Sequence, residues 1–123
     1  MAQAKRLMRN PILLFGAAAL TALSAFAQNN SAQVARGEEQ FNEWCVACHD
    51  ANLPWSGGGT MALDAKYNGE LPGDLLERTD LTEEFVRSVV RVGLFRMPPF
   101  RLTEIDDEEL EDLTAFLTRN SPN

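Results

Sequence analysis

Apolar residues along this chain recur at spacings of three and four, and no run alternates between apolar and polar positions for long enough to predict a strand. In the first such stretch, the residues that share the apolar face of a helix are Val34, Gly37, Phe41 and Cys45. Ser31 precedes them and is the expected N-cap. Because Gly37 has no side chain, a second helix can cross the first one closely there. The pattern predicts an all-α fold.

The C-terminal part of the chain predicts two more helices. Thr82 is a suitable N-cap for one of them and Gly93 a suitable end; its apolar face consists of Phe85, Val86, Val89 and Val90. The last helix begins at Asp106, where Glu109 completes a capping box. Its apolar face consists of Leu110, Leu113, Phe116 and Leu117. We expect this face to pack on the first helix, and the acidic residues of the last helix, including Asp112, to lie in solvent.

The intervening segment from Asn52 to Asp80 is rich in glycine and proline and includes Gly57-Gly58-Gly59. This composition predicts a loop, with a short helical segment around residues 73–77.

The N-terminus has the features of an export signal. Lys5, Arg6 and Arg9 precede an apolar run over residues 12–23. Ala25-Phe26-Ala27 then provides the small residues that a signal peptidase recognises. The run is shorter than the roughly 20 residues that a spanning helix needs, so a retained anchor is the less favoured alternative. We predict a cleaved secretory signal peptide over 1–27, a single domain over 28–123, a periplasmic location and no stable membrane insertion.

Removing residues 1–27 takes away three basic residues and no acidic one, so the formal net charge changes from −7 to −10. A balance this acidic disfavours nucleic acid and anionic membranes as partners.

The candidate chemistry lies in Cys45-Val46-Ala47-Cys48-His49. Two thiols one helical turn apart, followed by an imidazole, are what covalent attachment of haem c requires: Cys45 and Cys48 each add to a vinyl group, and His49 binds the iron. A structural zinc site needs four ligands, but the chain has two cysteines and one histidine. A thioredoxin-like dithiol is the other alternative, although no βαβ pattern follows the motif.

The second axial ligand follows by elimination, because no second histidine exists. Met97 is the favoured candidate, since Pro98 and Pro99 hold the chain extended beside it and it lies far enough along the chain to reach the other haem face. Met61 is too close to the motif, and Lys66 or water is a minor alternative. With both axial positions filled, the iron transfers electrons and has little room for a substrate, so we predict no enzymatic activity of the isolated chain.

Between residues 85 and 103 the chain has four arginines and no carboxylate; they are Arg87, Arg91, Arg96 and Arg101. We expect a redox partner to dock near a segment that we call the docking segment, formed by Arg96, Met97, Pro98, Pro99, Phe100 and Arg101. Alternatively, some of these arginines, or Arg78, neutralise haem propionates.

Over its mature length the chain resembles class I c-type cytochromes, through Gly37, Phe41, the motif over residues 45–49, Met97-Pro98, Leu113, Phe116 and Leu117. The resemblance implies an all-α class I cytochrome c fold with three to five helices around one covalently bound haem. It also implies His49 and Met97 as axial ligands, and a proline carbonyl, with Pro54 the nearest match, that accepts a hydrogen bond from His49.

A narrower resemblance over residues 78–117 is to the cytochrome subunits of p-cresol methylhydroxylase and eugenol-type hydroxylases. It is carried by Leu81-Thr82, Val86-Arg87, Val90-Arg91, Gly93, Arg96-Met97-Pro98 and Phe100. It implies that a flavin-dependent alkylphenol dehydrogenase donates the electrons. A free periplasmic shuttle, the cytochrome subunit of a quinoprotein or other dehydrogenase, and, more remotely, a thiol-disulfide or haem-sensing protein remain alternatives.

Overall fold

A computed structural model describes residues 30–52 and 58–122. Over these ranges the chain is helical and forms no strand, which confirms the all-α prediction. The helices are α1 over residues 30–44, α2 (Val46–His49), α3 (Gly58–Tyr67), α4 (Glu83–Val92) and α5 (Asp107–Thr118), with a 3₁₀ turn at Leu75–Glu77. The fold described here is the unit formed by Ala32–Asn123.

Helices α1 and α5 cross at Gly37. A Cβ atom on Gly37 would overlap the backbone carbonyl of Asp112 and would lie 2.7 Å from Cβ of Phe116, so only glycine permits this approach. Beside the crossing, the Phe41 and Phe116 rings pack with their centroids 5.6 Å apart. The predicted close contact between the first and last helices is confirmed.

The prediction that Asp112 lies in solvent is wrong. Its side chain is only 7% exposed, and the Arg36 guanidinium of α1 donates to both carboxylate oxygens, at 2.6 and 2.9 Å. The crossing therefore includes a charged pair, because a carboxylate that faces a neighbouring helix needs a cation or donors in place of water.

The core lies among α1, α4 and α5, and most of its side chains are on the predicted apolar faces. Its buried members are Phe41, Cys45, Leu81, Val86, Val90, Ile105, Leu110, Leu113, Phe116 and Leu117. Leu81 and Ile105 are buried without having been predicted, and the prediction of Phe85 on the apolar face of α4 is wrong because its side chain is 48% exposed. The core places the first cysteine of the motif directly beside the crossing helices.

The predicted caps of α4 and α5 are present. The Thr82 hydroxyl accepts a hydrogen bond from the Phe85 N–H at 3.2 Å, and Asp106 and Glu109 form a complete capping box with bonds of 2.9 and 2.8 Å. Ser31 is not an N-cap, because the chain is already helical at residue 30.

The segment predicted as a loop contains α3, which is a correction. Its sequence after Gly58-Gly59 is rich in good helix formers, but its apolar residues do not share one face, so periodicity gave no signal. Asn68 and Gly69 end it with φ of 49° and 87°. The short helical segment expected nearby is the 3₁₀ turn at Leu75–Glu77, capped by the carboxylate of Asp74.

Within the described ranges, no helix combines the length and apolar character needed to cross a membrane. The predicted signal peptide, its cleavage site and Pro54 lie outside the described residues.

Candidate haem site

The two cysteines and the histidine occupy one turn at the junction of α1 and α2. The N–H groups of Cys48 and His49 both donate to the carbonyl of Cys45, each at 3.0 Å. Cys45 is buried in the core, whereas Cys48 is exposed. The fold thus presents two thiols one turn apart at the edge of the core.

Helix α3 supports the imidazole of His49. A Cβ atom on Gly59 would lie 2.6 Å from Cε1 and 2.7 Å from Nδ1 of that ring, so the glycine forms a cradle that any side chain would fill. The next residue, Thr60, donates from its hydroxyl to the carbonyl of Cys48 at 3.4 Å. Nδ1 of His49 is buried and has no hydrogen-bond partner among the described residues.

Burial lowers the pKa of His49, and the nearby Asp74 carboxylate offsets only part of that effect. The ring is therefore neutral at physiological pH, which is the form of histidine that binds a metal.

The pKa of the Cys45 thiol is raised to about 12, chiefly by burial and further by its neighbour Cys48. Catalytic dithiols show the opposite behaviour, since they need a thiolate at neutral pH and therefore a depressed pKa. This environment gives the thioredoxin-like interpretation no support.

Met97 closes a tight turn after α4. Its N–H donates to the Leu94 carbonyl at 2.9 Å, and its carbonyl accepts from the Leu94 N–H at 3.1 Å. The side chain of Met97 is half-buried against the core. Gly93, at φ 78°, packs on this turn, because a Cβ there would lie 2.7 Å from the Met97 carbonyl oxygen. By contrast, Met61 projects from α3 and is 68% exposed.

Three of the four arginines in residues 85–103 are neutralised by carboxylates that lie elsewhere in the sequence. Arg87 pairs with Glu83 and Glu111, Arg91 with Asp107, and Arg101 with Glu104. No carboxylate of the described residues pairs with Arg96.

Arg78 is buried and is held by Asp80, with its guanidinium 4.7 Å from the centre of the Tyr67 ring. It is therefore already engaged by groups of its own chain.

A model of the family described as cytochrome c oxidase, cbb3-type, subunit III matches residues 32–117, which is more than half of the chain. The chain belongs to this family. Its domain is a c-type cytochrome, so the chain carries covalently bound haem c and transfers electrons as a monohaem cytochrome. Comparison with curated proteins and with solved structures gave no match, and the narrower resemblance to p-cresol methylhydroxylase cytochromes is not confirmed.

The described residues of the cytochrome fit a haem c group. Two thiols lie one turn apart, the adjacent imidazole is neutral with Nδ1 turned into the protein, and a half-buried thioether lies in the turn after α4. Sulfur and imidazole are the donors that haem iron takes in cytochromes c.

Gly59 and Thr60, the α3 residues that contact His49 and Cys48, were not predicted as site residues. The glycine run over residues 57–59 was the available signal, but glycines indicate a loop and a close packing contact equally well.

Proposed function

We propose that Cys45 and Cys48 form the two thioether bonds, and that His49 and Met97 are the axial ligands of a cytochrome that carries single electrons between proteins. The observation that carries the proposal is the packing of His49, whose Nδ1 is buried against Gly59 directly after the two thiols. When bound, the haem iron supplies a one-electron redox couple.

Each residue then has a distinct task. The buried thiol of Cys45 anchors the group to the α1–α5 core, and Cys48 anchors its other side. His49 would hold the iron through Nε2, and its Nδ1–H would donate to a backbone carbonyl, for which the class I resemblance favours Pro54. The thioether of Met97 would be the second ligand from the protein; it would exclude water and substrate and raise the reduction potential relative to two nitrogen ligands.

The ligand assignment is tested with Met97→Ala and the matched control Met61→Ala, both in haem-loaded protein. Loss of the thioether opens a coordination site, so the reduced Met97→Ala protein should bind carbon monoxide and the oxidised protein should lose the weak far-red sulfur-to-iron band. Met61→Ala should leave both properties unchanged. The reverse pattern would assign Met61 as the ligand.

We infer export to the periplasm from residues 1–27, because a basic start, a short apolar run and the small residues of Ala25-Phe26-Ala27 are the features of a cleaved signal peptide. Intact-mass spectrometry of the protein from the periplasmic fraction tests this. The expected species begins at Gln28 and carries one haem, and a haem-loaded species that keeps residues 1–27 would contradict it.

For the electron donor we propose a flavin-dependent dehydrogenase of the alkylphenol type, supported by the resemblance over residues 78–117, and we place its contact at the docking segment. A second candidate partner is a terminal oxidase, which would accept electrons from the cytochrome, because the family description names a subunit of a cbb3-type cytochrome c oxidase. A free shuttle or a quinoprotein dehydrogenase would use the same site.

Stopped-flow mixing separates these partners. The oxidised cytochrome is mixed anaerobically with a flavoprotein that has been reduced by 4-alkylphenol, and the reduced cytochrome is mixed with membranes that contain a cbb3-type oxidase. Fast reduction by the flavoprotein supports the first partner. Oxidation by the membranes without reduction by the flavoprotein supports the second.

A further inference from the structure

The turn that carries Met97 also carries an exposed phenylalanine. Phe95 is the first of the two residues between Leu94 and Met97, whose backbones are joined by both N–H···O bonds. Its φ is +53° and its side chain is 95% exposed.

A phenylalanine is an unfavourable residue at this position. Two-residue turns with positive φ at the first central residue favour glycine there, because a Cβ atom is crowded in the left-handed region. The described non-glycine residues with positive φ are Asn68 and Phe95, and asparagine tolerates this conformation far better. Glycine at position 95 would relieve the crowding.

No packing contact among the described residues offsets this cost. The Phe95 ring belongs neither to the buried core nor to the partly buried side chains packed on it. Its neighbours Val92 and Leu94 are exposed as well, so this end of α4 presents apolar surface to solvent. A strained residue that also leaves a large aromatic ring in water points to a contact outside the chain.

The charges around Phe95 indicate the chemistry of the surface that it would contact. Arg96 follows Phe95 directly, and it has no ion pair among the described residues, whereas Arg91 and Arg101 on either side are paired with carboxylates. The exposed ring is therefore next to a single free positive charge, in a stretch without carboxylates, on a chain of net charge −7. A complementary surface has an apolar pocket with a carboxylate at its rim.

We propose that Phe95 is the anchor by which this cytochrome docks on its redox partner: the ring enters an apolar pocket of the partner protein, and Arg96 pairs with a carboxylate at the rim. The proposal rests on the electron-transfer function above. It assigns the contact to Arg96, the first residue of the docking segment, and to Phe95, which directly precedes that segment. Only Arg96 lies between Phe95 and the proposed ligand Met97, so docking there would bring the partner close to the haem edge.

The first test is photo-cross-linking in cells of the native host, with benzoylphenylalanine at position 95 and, as a control, at Leu102, which is also exposed. A cross-link from position 95, but not from position 102, to a protein that contains a flavin, quinone, haem or copper centre supports the proposal. No cross-link at position 95, or a cross-link to a protein without a redox centre, would overturn it.

The second test uses the trapped protein as the partner. Phe95→Gly should raise the KM for that partner by at least about tenfold, while the melting temperature stays equal or rises and the haem spectrum, the reduction potential and the rate with ascorbate remain those of the wild type. Arg96→Gln should weaken the salt dependence of the reaction. Arg87→Gln, which removes an arginine outside the docking segment that is already paired with Glu83 and Glu111, should not. An unchanged KM, or a changed spectrum or potential in Phe95→Gly, would show that the ring is no anchor.

The proposed function and the proposed docking anchor can fail separately. If purified wild-type protein lacks a covalent, six-coordinate haem, the proposed function fails. If the haem is intact but position 95 traps no redox protein, only the docking anchor fails.

Discussion

Gly59 of α3 lies so close to the imidazole of His49 that a Cβ atom at position 59 would be 2.7 Å from Nδ1. This contact joins α3, a helix that the sequence pattern did not predict, to His49, the proposed iron ligand. The orientation of His49 therefore depends on a glycine ten residues further along the chain.

Gly59→Ala should disturb the haem site without unfolding the protein. The added methyl group must displace the imidazole or shift α3, so we expect less haem-loaded protein and an altered visible spectrum and reduction potential. Gly58→Ala is the matched control, because a Cβ at position 58 meets no atom within 4 Å. A wild-type spectrum and potential in Gly59→Ala would mean that the contact does not position His49.

Gly37→Ala should destabilise the whole fold, because its methyl group would overlap the Asp112 carbonyl where α1 crosses α5. Forcing an atom into a packed interface of this kind costs about 3 kcal/mol. Urea unfolding of the haem-loaded protein, with Gly58→Ala as the control, measures the difference. Equal midpoints for the two variants would contradict the packing described for the crossing.

Arg36→Met should lower the melting temperature more than Arg101→Met does. Removing Arg36 leaves the carboxylate of Asp112 buried without its cation, whereas removing Arg101 leaves only the better hydrated Glu104. Adding Asp112→Asn to Arg36→Met should recover part of the lost melting temperature, because it removes the uncompensated charge. Differential scanning calorimetry measures these melting temperatures. Equal decreases in Arg36→Met and Arg101→Met would contradict a stabilising role of the Arg36–Asp112 pair.

Acid should weaken the contribution of the Arg78–Asp80 pair. The Arg78 guanidinium lowers the pKa of Asp80 below its ordinary value of 3.8, so between the two values the unfolded chain binds more protons than the folded one. Asp80 therefore stabilises the fold fully above pH 3.8, and its contribution declines as the pH falls through the lower folded value. The difference in unfolding free energy between wild type and Asp80→Asn, measured at pH 7, 5, 4 and 3, should shrink at the acid end. A difference that is constant with pH would show that the pair is not formed.

Features encoded by neighbouring residues were predictable from sequence. The Thr82 cap and the Asp106–Glu109 capping box each depend on residues three positions apart, and the cysteine motif is contained in five. The crossing at Gly37 was predictable because a glycine on an apolar helix face has few other uses.

Features that depend on distant residues were not predictable. The cation that pairs with Asp112 lies 76 residues earlier in the chain, so nothing near Asp112 indicated its burial. For the same reason, the pairing of Arg87 with Glu111 and of Arg91 with Asp107 was not predictable, since these carboxylates lie 24 and 16 residues further along the chain, in α5. The strain at Phe95 is a property of the backbone angle, and its sequence position gives no sign of it.

The central claim is that the chain is a covalent haem carrier with both axial positions filled by its own side chains. Absorption spectra of the periplasmically expressed protein, oxidised and reduced, before and after acid-acetone extraction and with carbon monoxide added to the reduced form, test it most directly. We expect haem that resists extraction, no reaction with carbon monoxide, and a weak far-red band in the oxidised protein. Extractable haem, or ready binding of carbon monoxide, would contradict it.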